Sequence, residues 1–536
     1  MKIHFPNQRQ TVEVPEKTRL SDVIREHFGS GFRMPCGGNG SCGKCRVRLG
    51  DGRSVLACQT LTEPEMNVLL DCRSCQSEIL TCFSPTLLEG TEPDAELAIG
   101  NALALAFDLG TTTLAACAVL GTKILTSVSA PNPQCRIGSD VLSRIQFSME
   151  SAAHRLELQE LLLNAVCGLA WKLLLSPEVR AQSVPVRRIV FAGNTTMEES
   201  LIGLDLTSLA ALPFQPSESL GTNFLAGDPI WNGGLALFAP ETPVRLLPVM
   251  GGFVGGDVTA GILAVRSSVP PEKESLPTFF LDLGTNGEMV LETESFRIAC
   301  ATAAGPCFEG AGISCGMCAE SGAVTHVENR DGQPFFETLH ASPIRGVCGS
   351  ALIDLTAELL RLGLLTPDGR LLEPGEVPAD VPAGWKACLT HVETRSVPTL
   401  PMPAFRIADS IFVTQEDFRE LQLAVGAIRT GIRLLLRRAG LTASGLAHFR
   451  VAGGFGRSVR AANAQLIGLI PSDLAPNAFE FVGNASLAGA VLTAVSDSRW
   501  AQTQHLVREI ECLDLAQEEG FADVFMESMI WETFCE

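Results

Sequence analysis

Two short stretches, ALAFDLGTTT (104–113) and FFLDLGTNGE (279–288), decide how the larger part of this chain folds. Each is an apolar run of strand length ending in Asp-Leu-Gly-Thr, so a strand delivers a carboxylate and then a tight turn. In such a turn, backbone N–H groups and a hydroxyl can face a phosphate while the Asp holds hydrated Mg²⁺. Asp108, Gly110, Thr111 and Thr112 would form one loop, and Asp282, Gly284, Thr285 and Asn286 the other. The two would grip a triphosphate from opposite sides. One such loop alone is a weak signal, because many strands end in a Gly turn. A pair about 170 residues apart implies two similar halves, each opening with a strand and a Gly–Thr turn.

Outward from these stretches, strand-like runs alternate with helix-like ones from about Ala102 onward. RRIVFAGN (187–194) and HFRVAGGFG (448–456) read as strands; LELQELLLNAVCGLAWKLLL (156–175) and EDFRELQLAVGAIRTGIRLLLRRAG (416–440) read as helices. This is an α/β pattern, divided here into halves 100–250 and 251–536. The glycine loop Gly453-Gly454-Phe455-Gly456 would let an adenosine lie against backbone. GGFVGGDVTAGILA (251–264) and VGNASLAGAVLTA (482–494) are the candidate connecting helices. Asp257, in the first of them, is either a metal-side or water-orienting carboxylate or a helix cap. The Pro- and Gly-rich stretch 366–405 reads as a surface excursion.

The first 71 residues have a different texture. KIHF and TVEVP form one hairpin, LSDVIREHF an amphipathic helix, and RVRL-GDG-SVLACQ a second hairpin, with MNVLL as a closing strand. Residues 72–99, with SPTLLEGTEPDAE, read as a linker. Seven of the 18 cysteines fall between Cys36 and Cys82, a clustering that suggests metal ligation. Cys36, Cys42 and Cys45 have the spacing C-x5-C-x2-C within CGGNGSCGKC, whose glycines allow a loop to wrap an inorganic cluster closely. The fourth thiolate is Cys58, with twelve residues between it and Cys45, or Cys75, with 29 residues between. Cys58 is preferred because MNVLL then remains to close the fold. Cys72, Cys75 and Cys82 supply only three thiolates and carry no assigned role. Cys300, Cys307, Cys315 and Cys318, among Gly and Ala, read as small buried residues.

The formal charge of −20 speaks against a nucleic-acid partner, which would need clustered Lys and Arg. No uninterrupted apolar run reaches about 18 residues, and MKIHFPNQRQ lacks a signal-peptide core, so no membrane and a cytoplasmic location are expected.

CGGNGSCGKCRVRLGDGRSVLACQT (36–60) resembles the [2Fe–2S] domain of ferredoxins, and its short final spacing is similar to that of the succinate dehydrogenase iron–sulfur subunit. The loops resemble the ATPase fold shared by actin, sugar kinases and heat-shock chaperones. Nearly all of residues 1–500 resemble one family, the ATP-dependent reductive activators of corrinoid-dependent methyltransferases. The strings carrying this include NPQCRIGSDVLSRI, VFAGNTTM, LPVMGGFVGGD, AAGPCFEGAGISCGM, GVCGSALIDL and VAGGFGRSV. Here the segment between the ferredoxin and ATPase parts is short, and the last cysteine spacing is shorter than is usual in the family. The resemblance implies an α+β β-grasp ferredoxin domain followed by an actin-like α/β ATPase of two similar halves. It implies a [2Fe–2S] cluster, ATP and Mg²⁺ as cofactors, and an electron for a partner's cobalt, taking Co(II) to Co(I). A corrinoid protein and an upstream low-potential donor would be the partners; a homodimer stays open. Asn194-Thr195-Thr196 follows the strand RRIVFAG, where open α/β sheets place ligands; it reads as a plain turn, with a place facing nucleotide or corrinoid as the alternative. Two other functions fit less well: an activator of 2-hydroxyacyl-CoA dehydratases, which would need a four-iron cluster, and a small-molecule kinase with an accessory redox domain.

Overall fold

The computed structural model describes the chain apart from residues 7–9, 16, 29–44, 51–53, 70–80, 89–90, 99, 139, 218–219, 270–275, 394–400, 455–458, 476 and 536. Cys36, Cys42, Cys72, Cys75 and Gly456 lie outside the described residues.

The N-terminal unit comprises β1 (Lys2–Phe5), β2 (Gln10–Glu13), α1 (Leu20–Phe28), β3 (Arg46–Leu49), β4 (Ser54–Leu56) and β5 (Met66–Leu69). Its sheet order is β2-β1-β5-β3-β4. Strand β5, the expected closing strand, fills the centre of the sheet, parallel to β1 and antiparallel to β3. It alternates Met66 and Val68 inward with Asn67 outward. Helix α1 lays Leu20, Val23 and Ile24 on the same face, the spacing of one helical stripe, against Ile3, Phe5, Val47 and Leu49. Cys45 and Cys58 belong to this core.

The remainder holds two larger sheets. The first runs through β6 (Leu103–Leu109), β7 (Thr113–Leu120) and β8 (Lys123–Pro131), then α2 (Val141–Glu150) and α3 (Ala152–Leu175), β9 (Val186–Gly193), α4 (Thr195–Leu201), β10 (Asn223–Leu225) and β11 (Pro243–Leu246). After α5 (Gly256–Ser267), the second contains β12 (Thr278–Leu283), β13 (Gly287–Glu292), β14 (Arg297–Thr302), β15 (His448–Ala452) and β16 (Phe479–Gly483); α6 (Ala485–Val495) and the short β17 (Glu511–Cys512) follow. The orders are β10-β11-β9-β6-β7-β8 and β16-β15-β12-β13-β14-β17.

The two sheets repeat one plan. In each, an opening strand pairs parallel with a later strand on one side and begins an antiparallel three-strand meander on the other. The register repeats too: Asp108 stands opposite Ala192, and Asp282 opposite Ala452. Both opening strands are continuous apolar runs because both faces of each sheet are covered. In each, the aspartate is the position left half-buried, at the end that meets the cleft.

Helices α5 and α6 cross between the sheets. At the crossing, a Cβ on Gly489 would meet the Ala260 carbonyl oxygen at 2.0 Å, so backbone approaches backbone there. Among the described residues one helix, α3, is long and apolar enough to cross a membrane. It buries Leu158, Leu162, Val166, Leu169 and Leu173 in the core against the first sheet. The stretch read as a surface excursion contains Trp385, fully buried with its ring 5.5 Å from that of Phe405.

Candidate nucleotide cleft and cluster site

The ends of β6 and β12 bring the two Asp-Leu-Gly-Thr turns to one cleft. Its lining includes Asp108, Gly110, Thr111 and Thr112 from one turn, and Asp282, Gly284, Thr285 and Asn286 from the other. Gly453, Gly454 and Asp257 also line it. The Thr112 and Thr285 hydroxyls face each other at 3.3 Å. Asn194 lines the cleft as well: it caps α4 by accepting the Thr196 N–H at 3.0 Å, and its Nδ2, buried, finds no partner among the described residues. The turn thus takes the ligand-facing place that its position after a strand allowed, not that of a plain turn.

The first turn is held by hydrogen bonds. Asn484 Nδ2 donates to Asp108 Oδ2 at 2.7 Å, and the Ser486 hydroxyl to Oδ1 at 2.8 Å. Asn132 Nδ2 donates to the Gly110 carbonyl at 2.9 Å. Arg144, wholly buried, donates to the carbonyls of Thr111 (2.6 Å) and Gly138 (3.1 Å) and to Gln134 Oε1 (3.2 Å).

The second turn is surrounded by charge instead. Burial pushes the Asp282 carboxyl up to about 8, and the charges of Asp257, Asp108 and Glu309 add to the shift. Asp257 is pushed up to about 7, again chiefly by burial, although Val258 N–H donates to it at 2.8 Å. Asp257 is the second residue of α5, whose N-cap is Gly255 with no side-chain cap, so it lines the cleft from inside the first helical turn and does not act as the cap. Glu288, on β13 directly across from Asp282, is raised well above the usual carboxylate range by burial, with Asp257 and Asp282 reinforcing it. Glu309 is raised by burial against the opposing pull of the Thr112 and Thr285 hydroxyls, and its Oε2 finds no partner among the described residues. Glu288, Glu309, Asn484, Ser486 and Arg144 are site residues that sequence reasoning missed.

This donor set fits a divalent cation. Several hard oxygen donors repel one another here, and a cation would let them ionise together. Among the described residues no three His, Cys, Asp or Glu side chains already converge at ligand distance. Mg²⁺, which dehydrates reluctantly, would keep most of its waters in such a site.

In the N-terminal unit, Cys45 Sγ and Cys58 Sγ lie 3.1 Å apart in the core. The Ala57 N–H donates to the Cys45 carbonyl at 2.9 Å, which locks the turn carrying Cys58 against the start of β3. Gln59 Nε2 approaches Cys58 Sγ at 3.7 Å, a donor of the type that tunes iron–sulfur centres. Two thiols converging from separate elements fit one side of a cluster. Elsewhere, Cys300 and Cys307 are buried, and burial raises both thiols; Cys315 and Cys318 are half-buried, and Cys318 lines the cleft.

Comparison with known proteins matches three family models in succession. These are a 2Fe-2S iron-sulfur cluster binding domain at residues 4–80, the RACo middle region at 103–267, and the C-terminal domain of RACo, the ASKHA domain, at 277–534. A relative described as corrinoid activation enzyme RamQ, from Eubacterium limosum, is 26% identical over 98% of both chains. A [Co(II) methylated amine-specific corrinoid protein] reductase from Methanosarcina barkeri is 25% identical over 68% of this chain and 61% of its own length. Among solved structures, a reductive activator for corrinoid,iron-sulfur protein superimposes with a TM-score of 0.70, at 25% identity and 99% coverage of both chains.

Proposed function

Since this chain belongs to the ferredoxin-fused reductive activators of corrinoid proteins, we propose that it couples ATP to delivery of one electron that returns a partner's corrinoid cobalt from Co(II) to Co(I). The observation that carries this reading is the facing pair of phosphate loops, 3.3 Å apart at Thr112 and Thr285, on the same chain as a buried cysteine pair in a ferredoxin-type sheet. The division of labour follows residues 1–71 for the cluster, 72–99 for the connection, and 100–250 with 251–536 for the two halves of the ATPase.

Cys36, Cys42, Cys45 and Cys58 would hold the cluster, which when bound supplies one electron at a potential near about −400 mV. Co(I) is harder to reach than that, and each 59 mV of gap costs about tenfold in a one-electron equilibrium. ATP is therefore needed to make the transfer proceed. The Thr112 and Thr285 hydroxyls would bind the phosphates from opposite sides. Asp108, Asp257 and Asp282 would hold hydrated Mg²⁺ and orient water, and Gly453, Gly454 and Gly456 would border the adenosine. Closure of the halves on nucleotide would change the surface presented to the corrinoid protein, and a ligand shifts such an equilibrium only by its preference for one state. An upstream low-potential donor and a cytoplasmic setting complete the reading.

The test uses protein purified without oxygen. Two irons per chain with a two-iron resonance signal, together with ATP hydrolysis, are expected; a four-iron signal contradicts the assignment. Cys58→Ala should lose the cluster while Cys75→Ala keeps it. The reverse would move the fourth ligand to Cys75.

A further inference from the structure

The segment leading out of the N-terminal unit does not pass freely over the ATPase. The Ser84 N–H donates to the Val482 carbonyl at 3.0 Å, and the Asn484 N–H to the Cys82 carbonyl at 3.0 Å. Between them Phe83 and Gly483 form an antiparallel bridge. Gly483 has φ +78°, and a Cβ there would lie 2.5 Å from the Cys82 oxygen and 2.9 Å from Phe83 Cα. A residue with a side chain would therefore push the strand off.

The next residue faces the other way. Asn484 receives the strand through its backbone N–H and grips Asp108 through its side chain, 2.7 Å from Oδ2. A two-residue path thus joins the first phosphate loop to the segment. The turn that follows, Pro85–Leu88, buries Leu87 among Val254, Val258 and Ile262 of the α5 region and Leu492 of α6, at the crossing between the sheets. On the first sheet, the Ser127 hydroxyl of β8 donates to Thr81 Oγ1 at 3.0 Å. Residues 81–88 are therefore fastened to both halves of the ATPase, and any rotation of one half against the other must strain or release one set of contacts.

We propose that Gly483 and Asn484 are positioning residues that make the anchorage of residues 81–88, and with it the tether of the ferredoxin domain, depend on whether the cleft holds nucleotide. This deepens the reading given above and rests on it. The relay is Asp108, Asn484 and the Cys82–Ser84 strand, through which nucleotide state would couple to placement of the electron-carrying domain.

The test places the change on the strap and leaves the cleft untouched. In full-length, anoxically prepared protein, Phe83→Ala combined with Leu87→Ala should keep iron content and basal ATP hydrolysis within about twofold of wild type. The ATP stimulation of Co(II) corrinoid reduction should fall at least about tenfold, about 1.4 kcal/mol of lost coupling. Phe83→Leu should retain most of the stimulation. Undiminished stimulation in the double variant overturns the proposal. Amide exchange in the wild-type protein provides a second reading should the variant fold poorly. The Ser84 and Asn484 amides should exchange at a different rate when a non-hydrolysable ATP analogue is added, and unchanged rates overturn the proposal. A wild-type protein whose corrinoid reduction ignores ATP would instead remove the functional reading itself, an outcome visible before any variant is made.

Discussion

The two Asp-Leu-Gly-Thr turns share a sequence, a register and a place at the end of a central strand, yet they are held in different ways. The first is braced: Asn484 and Ser486 bind the Asp108 carboxylate, while Asn132 and Arg144 hold the backbone carbonyls of Gly110 and Thr111. The second has no such frame. Among the described residues no hydrogen bond reaches the Asp282 carboxyl, which faces Asp257, Glu288 and Glu309. Opposite Asp108 on the neighbouring antiparallel strand stands Ala115; opposite Asp282 stands Glu288. A duplicated plan has thus become one loop braced by hydrogen-bond donors, a buried arginine among them, and one loop lined by carboxylates.

The largest effect should separate the two aspartates. Asp282→Asn should reduce ATP-dependent cobalt reduction by about 10²–10³-fold, the scale of losing one main electrostatic contact, with the cluster spectrum unchanged. Asp108→Asn keeps the size of the side chain and can still accept from one of its donors, so its loss should be nearer about tenfold. Equal losses in the two variants would break the comparison.

Removing the brace comes next. Arg144→Met leaves the carbonyls of Thr111 and Gly138 and Gln134 Oε1 without their donor inside the protein. Denaturant unfolding should show a loss of about 3 kcal/mol, with weaker nucleotide binding. Unchanged stability would mean that the first loop is not set by this arginine.

Much of this was legible in the sequence, for definite reasons. The turns were readable because an apolar strand, an aspartate and a Gly–Thr pair are adjacent in the chain. The iron–sulfur domain was readable because glycines and thiols are also adjacent in the chain. What was hidden depends on distant pairing. Glu288 needs the β12–β13 register to bring it beside Asp282, and Glu309 reaches the cleft from a turn after β14. Arg144 sits in an otherwise ordinary helix, and only the fold shows that it is buried. The central place of β5 was also hidden, because position within a sheet is not written in a strand's own residues. The Ser84–Glu96 stretch has linker composition, yet it places Leu87 in the core beneath the crossing helices.

The smallest effect checks whether the braced half carries a charge burden of its own. Glu199, on α4 and away from the cleft lining, accepts the Ser217 N–H at 2.6 Å, but burial pushes its carboxyl up to about 7. A raised folded pKa means that the native state holds a proton the unfolded chain has released, so stability falls as pH rises from about 4.5 to about 7. Glu199→Gln should remove that decline and add at least about 1 kcal/mol at pH 8. It should add little at pH 4.5. Denaturant midpoints at the two pH values decide the matter, and an equal gain at both would exclude charge as the cause.

The central claim is that ATP held between these two loops drives an electron from the ferredoxin-type domain onto cobalt. The direct measurement mixes the reduced protein with a Co(II) corrinoid protein under anoxic conditions and follows the cobalt absorbance with and without Mg–ATP. Rapid appearance of Co(I) only when ATP is present is the predicted result. Co(I) formed equally well without ATP, or not formed at all by a protein that holds its cluster and hydrolyses ATP, would contradict it.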